Sequence, residues 1–118
     1  MKIMIPFEIT EEFIADVLNT AFSGGSTYWI EDIKNTSDKP KSHYFSKSVA
    51  QGDTLEITDN EDYRIYKLDK NIFAEGYRRY VEFCLKRKMT VYYDPSDIDS
   101  IEADMILQFA IFNEIVFG

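Results

Sequence analysis

The chain reads as an α+β domain, a small antiparallel sheet packed against three main helices. Apolar residues recur at helical spacing in three stretches, 11–23, 70–87 and 98–112. Positions 54–68 alternate with period two on either side of a polar turn, the pattern of a β-hairpin. At 118 residues, 45% of them hydrophobic, the chain is long enough for one core without disulfides or metal, so a single domain over 1–118 is expected.

Met1 to Ile9 alternates roughly and predicts a short first strand, which Pro6 confines to an edge or ends. Thr10 is placed as an N-cap, with Glu11 and Glu12 favouring the positive end of a helix dipole. Phe13, Ile14, Val17, Leu18, Ala21 and Phe22 define that helix's buried face, and Gly24-Gly25 is expected to stop it in a left-handed turn. Tyr28-Trp29-Ile30 with Ile33 fits either a strand or a short helical turn, and a short helix or irregular packing segment is the favoured expectation. The polar run Lys34–Ser42, with Pro40, predicts a loop. A short helix over His43–Gln51 follows, with Tyr44, Phe45, Val49 and Ala50 inward and Gly52 ending it.

Leu55 and Ile57 set one face of the hairpin, and Asp59–Asp62 reads as its solvated four-residue turn. Asp69 caps the second long helix, whose expected inward face is Ile72, Phe73, Tyr77, Tyr80, Val81, Cys84 and Leu85. Gly76 on that face predicts a close approach by another backbone, and Lys86-Arg87-Lys88 suits the helix's negative end. Val91-Tyr92-Tyr93 leans toward β, and Asp94–Asp97 forms a turn. The last helix is apolar around most of its circumference, so it is expected to be the most buried one, ending near Asn113.

The formal charge is −8, and no Lys or Arg occurs after Lys88. Such acidity argues against generic binding to nucleic acid or to an anionic membrane, both of which need a positive face. No apolar run approaches the roughly 20 residues that span a bilayer. The amino terminus is too short in apolar residues for a signal peptide, and one cysteine forms no internal bridge, so a reducing, cytoplasmic setting is expected.

Four segments carry a resemblance: Thr20–Trp29 (TAFSGGSTYW), Phe45–Leu55 (FSKSVAQGDTL), Tyr66–Asp69 (YKLD) and Ile101–Gly118 (IEADMILQFAIFNEIVFG). In this order they resemble a group of small uncharacterised proteins encoded by bacteriophages and prophages of gut bacteria. Ser23 stands where an acid is usual in that group, and Asn113 where glycine is usual. The resemblance implies a mobile-element origin in a bacterial host cell rather than a reaction.

Chemistry-bearing residues are sparse. His43 and Cys84 are each the only residue of their type, too few for the usual nitrogen and sulfur zinc site. Asp94, Asp97 and Asp99 do not keep calcium-loop spacing and lack its central glycine. Gly24-Gly25 is followed by no Lys-Ser or Lys-Thr pair, so it is not a phosphate-binding loop. No catalytic residue, metal or cofactor is expected. The leading expectation is a non-enzymatic binding protein whose acidic surface, Asp97, Asp99, Glu102 and Asp104, occupies the basic groove of a host nucleic-acid-binding defence factor. An alternative is a binder that sequesters a nucleotide signal through Arg64, Arg78, Arg79 and Tyr66. A third reading is an assembly accessory protein that forms a homo-oligomer through aromatic surface.

Overall fold

The computed structural model describes residues 8–118, and its architecture is α+β. Of the expected first strand, positions 1–7 lie outside the described residues, and Glu8 and Ile9 are not in a strand. Helix α1, Glu11–Thr20, starts where its cap chemistry places it: the Thr10 hydroxyl accepts from the Phe13 amide at 3.0 Å. Phe13, Ile14, Val17 and Leu18 form its buried face.

The glycine pair does not end α1 in a left-handed turn. The helix widens into a single π-turn over Ala21–Gly25, and neither Gly24 nor Gly25 has positive φ. The requirement at Gly25 is space, because a Cβ there would lie 2.2 Å from the Ser100 carbonyl oxygen. This contact seats the start of the last helix against the end of the first.

The segment after the π-turn is strand β1, Ile30–Asn35, and not the expected helical or irregular stretch. It pairs antiparallel with β2, Leu55–Asp59, through a register shift between Ile30 and Asp32. That bulge breaks the strict alternation by which a strand is recognised in sequence. Strand β3, Ile65–Leu68, pairs on the other side of β2, giving the sheet order β1-β2-β3. Leu55, Ile57 and Leu68 are fully buried on the inner face, while Ile65 on the edge strand is largely exposed.

Helix α2, Phe45–Ala50, buries Val49 and Ala50, but Tyr44 and Phe45 point outward rather than inward. Asp53 then ties the preceding loop back to the sheet. Its carboxylate accepts from the Lys41 amide at 2.8 Å and from Asn35 Nδ2 at 3.1 Å.

Helix α3, Lys70–Lys86, is capped by Asp69, whose carboxylate accepts from the Ile72 amide at 2.8 Å. It packs against α4, Ser100–Phe112, at the expected glycine: a Cβ on Gly76 would stand 2.4 Å from that of Ala110. Leu85 does not share the buried face and is 65% exposed. No strand forms at Val91–Tyr93, and a 3₁₀ turn at Pro95–Asp97 leads into α4. Helix α4 is the centre of the molecule, touching α1, α3 and β3, and it ends at Asn113 with φ 65°. Asparagine tolerates that left-handed geometry better than other side chains bearing a Cβ. Among the described residues no helix is long and apolar enough to cross a membrane.

Candidate functional site

Of the four acids expected to form a binding surface, Asp104 is not on the surface. It is 7% exposed, and its carboxylate is the centre of a polar knot. Oδ1 accepts from Ser26 Oγ at 2.7 Å and from the Trp29 indole N–H at 2.8 Å. Oδ2 accepts from the Tyr28 hydroxyl at 2.6 Å and from Gln108 Nε2 at 3.0 Å. Four neutral donors therefore satisfy a buried carboxylate that has no cationic partner among the described residues. Burial, then the hydrogen bond to Asp104, pushes the Tyr28 hydroxyl up to about 12.

Gln108, one turn after Asp104, extends the knot to the carboxyl-terminal segment. Its Oε1 accepts from the Val116 and Phe117 amides at 2.9 and 2.8 Å. Phe117 is thereby laid flat on Trp29, with ring centroids 5.4 Å apart and planes within 6°. The knot joins two of the segments singled out in the sequence, Thr20–Trp29 and Ile101–Gly118, which lie more than 70 positions apart. The sequence does carry a signal for it. An Asp and a Gln spaced by four among the apolar residues Ala103–Phe112 must find buried partners.

The other three acids are distributed differently. Asp99 caps α4, accepting from the Glu102 amide at 2.8 Å. Glu102 is half-buried, and its carboxylate accepts from the Tyr80 hydroxyl at 3.0 Å. Burial raises its pKa, with Asp99 adding to the effect and the Tyr80 bond opposing it. Asp97 is exposed in the 3₁₀ turn and makes no side-chain hydrogen bond among the described residues.

Acidity gathers instead on a face that the sequence reading did not assemble. Glu8, Glu12 and Asp16 recur at intervals of four, and across a groove of about 570 Å³ they meet Tyr93, Asp94 and Ser96. No Lys or Arg lines this groove among the described residues. Asp94 caps the 3₁₀ turn through the Ser96 amide and hydroxyl, which hold its carboxyl below its usual range. Asp97 follows in the same turn, adjoining the groove in sequence without lining it. Glu12 and Asp16 share a face of α1 by their spacing of four, but their meeting with Glu8 and Asp94 depends on tertiary packing.

A second concavity, about 620 Å³, lies over α4. Ile101, Met105, Phe83, Ile115 and Phe117 form its apolar walls, and the backbone of Gly24 and Gly25 forms another side. Tyr28, Asp104 and Gln108 contribute its polar floor. The aromatic pair is thus divided: Trp29 is wholly core, and Tyr28, 49% exposed, stands at this cleft.

The basic cluster proposed for an anion is occupied by the protein's own acids. Arg78 is held between Glu75 and Glu82. Arg79 lies 3.7 Å from Glu75 and donates to the Phe109 carbonyl at 3.3 Å, near the carboxyl end of α4. Tyr66 is half-buried and forms a T-shaped contact with the Phe112 ring, with centroids 4.8 Å apart. Arg64 is exposed on the hairpin turn.

Cys84 is fully buried, and burial pushes its thiol pKa up, away from thiolate chemistry at neutral pH. His43 is exposed before α2, beside a shallow hollow whose lining does not include Cys84. Among the described residues no group of three or more His, Cys, Asp or Glu side chains is placed to hold a metal ion. No protein-family model matches the chain, and no curated protein or solved structure matches it either.

Proposed function

We propose that the chain is a non-enzymatic binding protein whose acidic face engages a basic surface on a partner protein. The observation that carries this reading is the groove in which Glu8, Glu12, Asp16 and Asp94 converge without a basic side chain among its described lining residues. Exposed Asp97 and the capping carboxylate of Asp99 extend the same sign of charge toward α4. Like charges held at neighbouring positions repel, and a basic partner relieves that repulsion while being steered to the face. Basic grooves of this kind are common where proteins hold phosphate backbones. A host nucleic-acid-binding factor is the partner class that fits both this charge and the resemblance to phage-encoded proteins.

The test is parallel affinity capture from bacterial lysate with the native chain and a Glu12→Lys/Asp16→Lys/Asp97→Lys variant. None of these three side chains caps a helix or takes part in the buried knot. The expected result is a nucleic-acid-binding protein retained by the native chain, released by salt or competing duplex DNA, and absent from the variant. Equal retention by the variant would refute the reading.

A further inference from the structure

The cleft over α4 combines two features that the acidic groove lacks. Its walls are largely apolar, and its floor includes a carboxylate that is 93% buried and balanced only by neutral donors. A buried carboxylate is ordinarily paired with a cation or bound to a metal. At Asp104 the donors are two hydroxyls, an indole and an amide, and none of them offsets the charge. The Tyr28 proton is committed to Asp104 and its oxygen already accepts from Gln108 Nε2 at 3.2 Å, so what the pair offers a guest is uncompensated negative charge rather than a free hydrogen-bond donor.

We infer that this cleft binds a small hydrophobic amine, its apolar body between Phe83, Ile101 and Met105 and its ammonium directed toward Tyr28 and Asp104. The volume suits such a guest, since small-molecule sites commonly enclose a few hundred cubic ångströms and use a few polar groups for orientation. Gly24 leaves the guest room, because a Cβ built there would meet nothing within 4 Å. Among the described residues the Arg87 guanidinium lies beside the cleft without lining it, covering the Phe83 ring at 3.8 Å. Lys86 and Lys88 are its chain neighbours, and Asp99 and Glu114 flank the lining residues Ser100 and Ile115. The inference shares no residue with the acidic groove, so either can fail without the other.

The experiment titrates 4-phenylbutylamine, 4-phenylbutanol and 4-phenylbutyrate separately into the ¹⁵N-labelled full chain. It follows the amides of Gly24, Gly25 and Tyr28 and the Trp29 indole N–H. The amine should give saturable shifts confined to these positions and bind roughly tenfold more tightly than the neutral alcohol, because a charge meeting its counter-charge away from bulk water is worth at least that factor. A Gly24→Leu variant, which places a side chain in the open space, should lose the shifts while its Trp29 indole resonance keeps its folded position. Equal affinity for the alcohol would reduce the cleft to an apolar hollow and overturn the inference. Preference for the carboxylate would overturn it by making Arg87 the governing charge, and absence of saturable shifts would overturn it outright.

Discussion

Asp59 and Asp104 are both buried carboxylates without an ion-pair partner among the described residues, and their hydrogen bonds come from opposite ends of the scale of chain separation. Asp59, 2% exposed, is satisfied by its own turn, accepting from the amides of Glu61, Asp62 and Arg64 at 3.0, 2.6 and 3.1 Å. Asp104 takes three of its four hydrogen bonds from Ser26, Tyr28 and Trp29, at the far end of the chain. The first carboxylate shapes one hairpin. The second fixes how α4, the π-turn and the start of β1 sit together. Similar burial thus serves local structure in one place and global structure in the other.

The difference predicts unequal costs on removal. Asp104→Ala should lower stability by at least about 3 kcal/mol, since it strands a buried indole N–H and a buried hydroxyl as well as deleting charged hydrogen bonds. That is a large share of the roughly 5–15 kcal/mol that holds a typical domain folded, so urea denaturation should show a collapsed midpoint. Asp59→Ala should cost less, about 1–3 kcal/mol, because water can reach the exposed turn and replace the lost acceptor. If the two variants unfold at the same midpoint, the distinction between local and global carboxylates fails.

Tyr28→Phe sharpens the comparison by removing one donor from Asp104 and leaving three. The expected loss is about 0.5–1.5 kcal/mol, and a phenolate absorbance step near pH 12 should vanish. The native Tyr28 pKa is raised above its unfolded value of 10.0, so its contribution is complete below pH 10 and is lost as pH climbs through about 12. A Tyr28 step at an ordinary phenolic pKa would show that the hydroxyl is not held by the knot.

At neutral pH the smallest effect belongs to protonation of the turn acids. Burial alone would raise Asp59, but the amides of Asp62, Glu61 and Arg64 outweigh it and hold the carboxyl below 3.8. At Asp53 the Lys41 amide is the main cause of a shift in the same direction. A depressed folded pKa gives stability that is present above the unfolded value and lost as pH falls through the folded one. Stability should therefore be level through neutrality and decline below about pH 4, with a shallower decline in Asp59→Asn. An unchanged acid limb in that variant would remove Asp59 from the account.

The helix caps show what the sequence makes legible. Thr10, Asp69 and Asn113 act within one turn of their own position, and each stands in the structure where its chemistry places it. Gly76 was also legible, because a glycine on an apolar helix face has few other uses than close packing. Strand β1 was not, since its bulge interrupts alternation and its inward residues Ile30 and Ile33 are only partly buried. Gly25 does end the helical run, but without the left-handed turn that its letter suggests; its constraint comes from Ser100, which local sequence does not contain. Among the candidate site residues, Asp97 and Asp99 were found as exposed acids, whereas Asp104 was misplaced because a buried charge and a surface charge share the same letter. Its partner Gln108, one turn on, was the residue that distinguished them.

The most direct test of this division of the acids is a pair of urea denaturation curves at pH 7. One uses Asp104→Asn, which preserves shape while removing the charge and turning one acceptor into a donor. The other uses the Glu12→Lys/Asp16→Lys/Asp97→Lys variant, which changes only exposed acids and relieves part of the net charge of −8. Asp104→Asn should lose about 2–4 kcal/mol, and the triple variant should stay within about 1 kcal/mol of the native chain or gain slightly. Native stability in Asp104→Asn, or collapse of the triple variant, would contradict the assignment of Asp104 to the fold and of the groove acids to the surface.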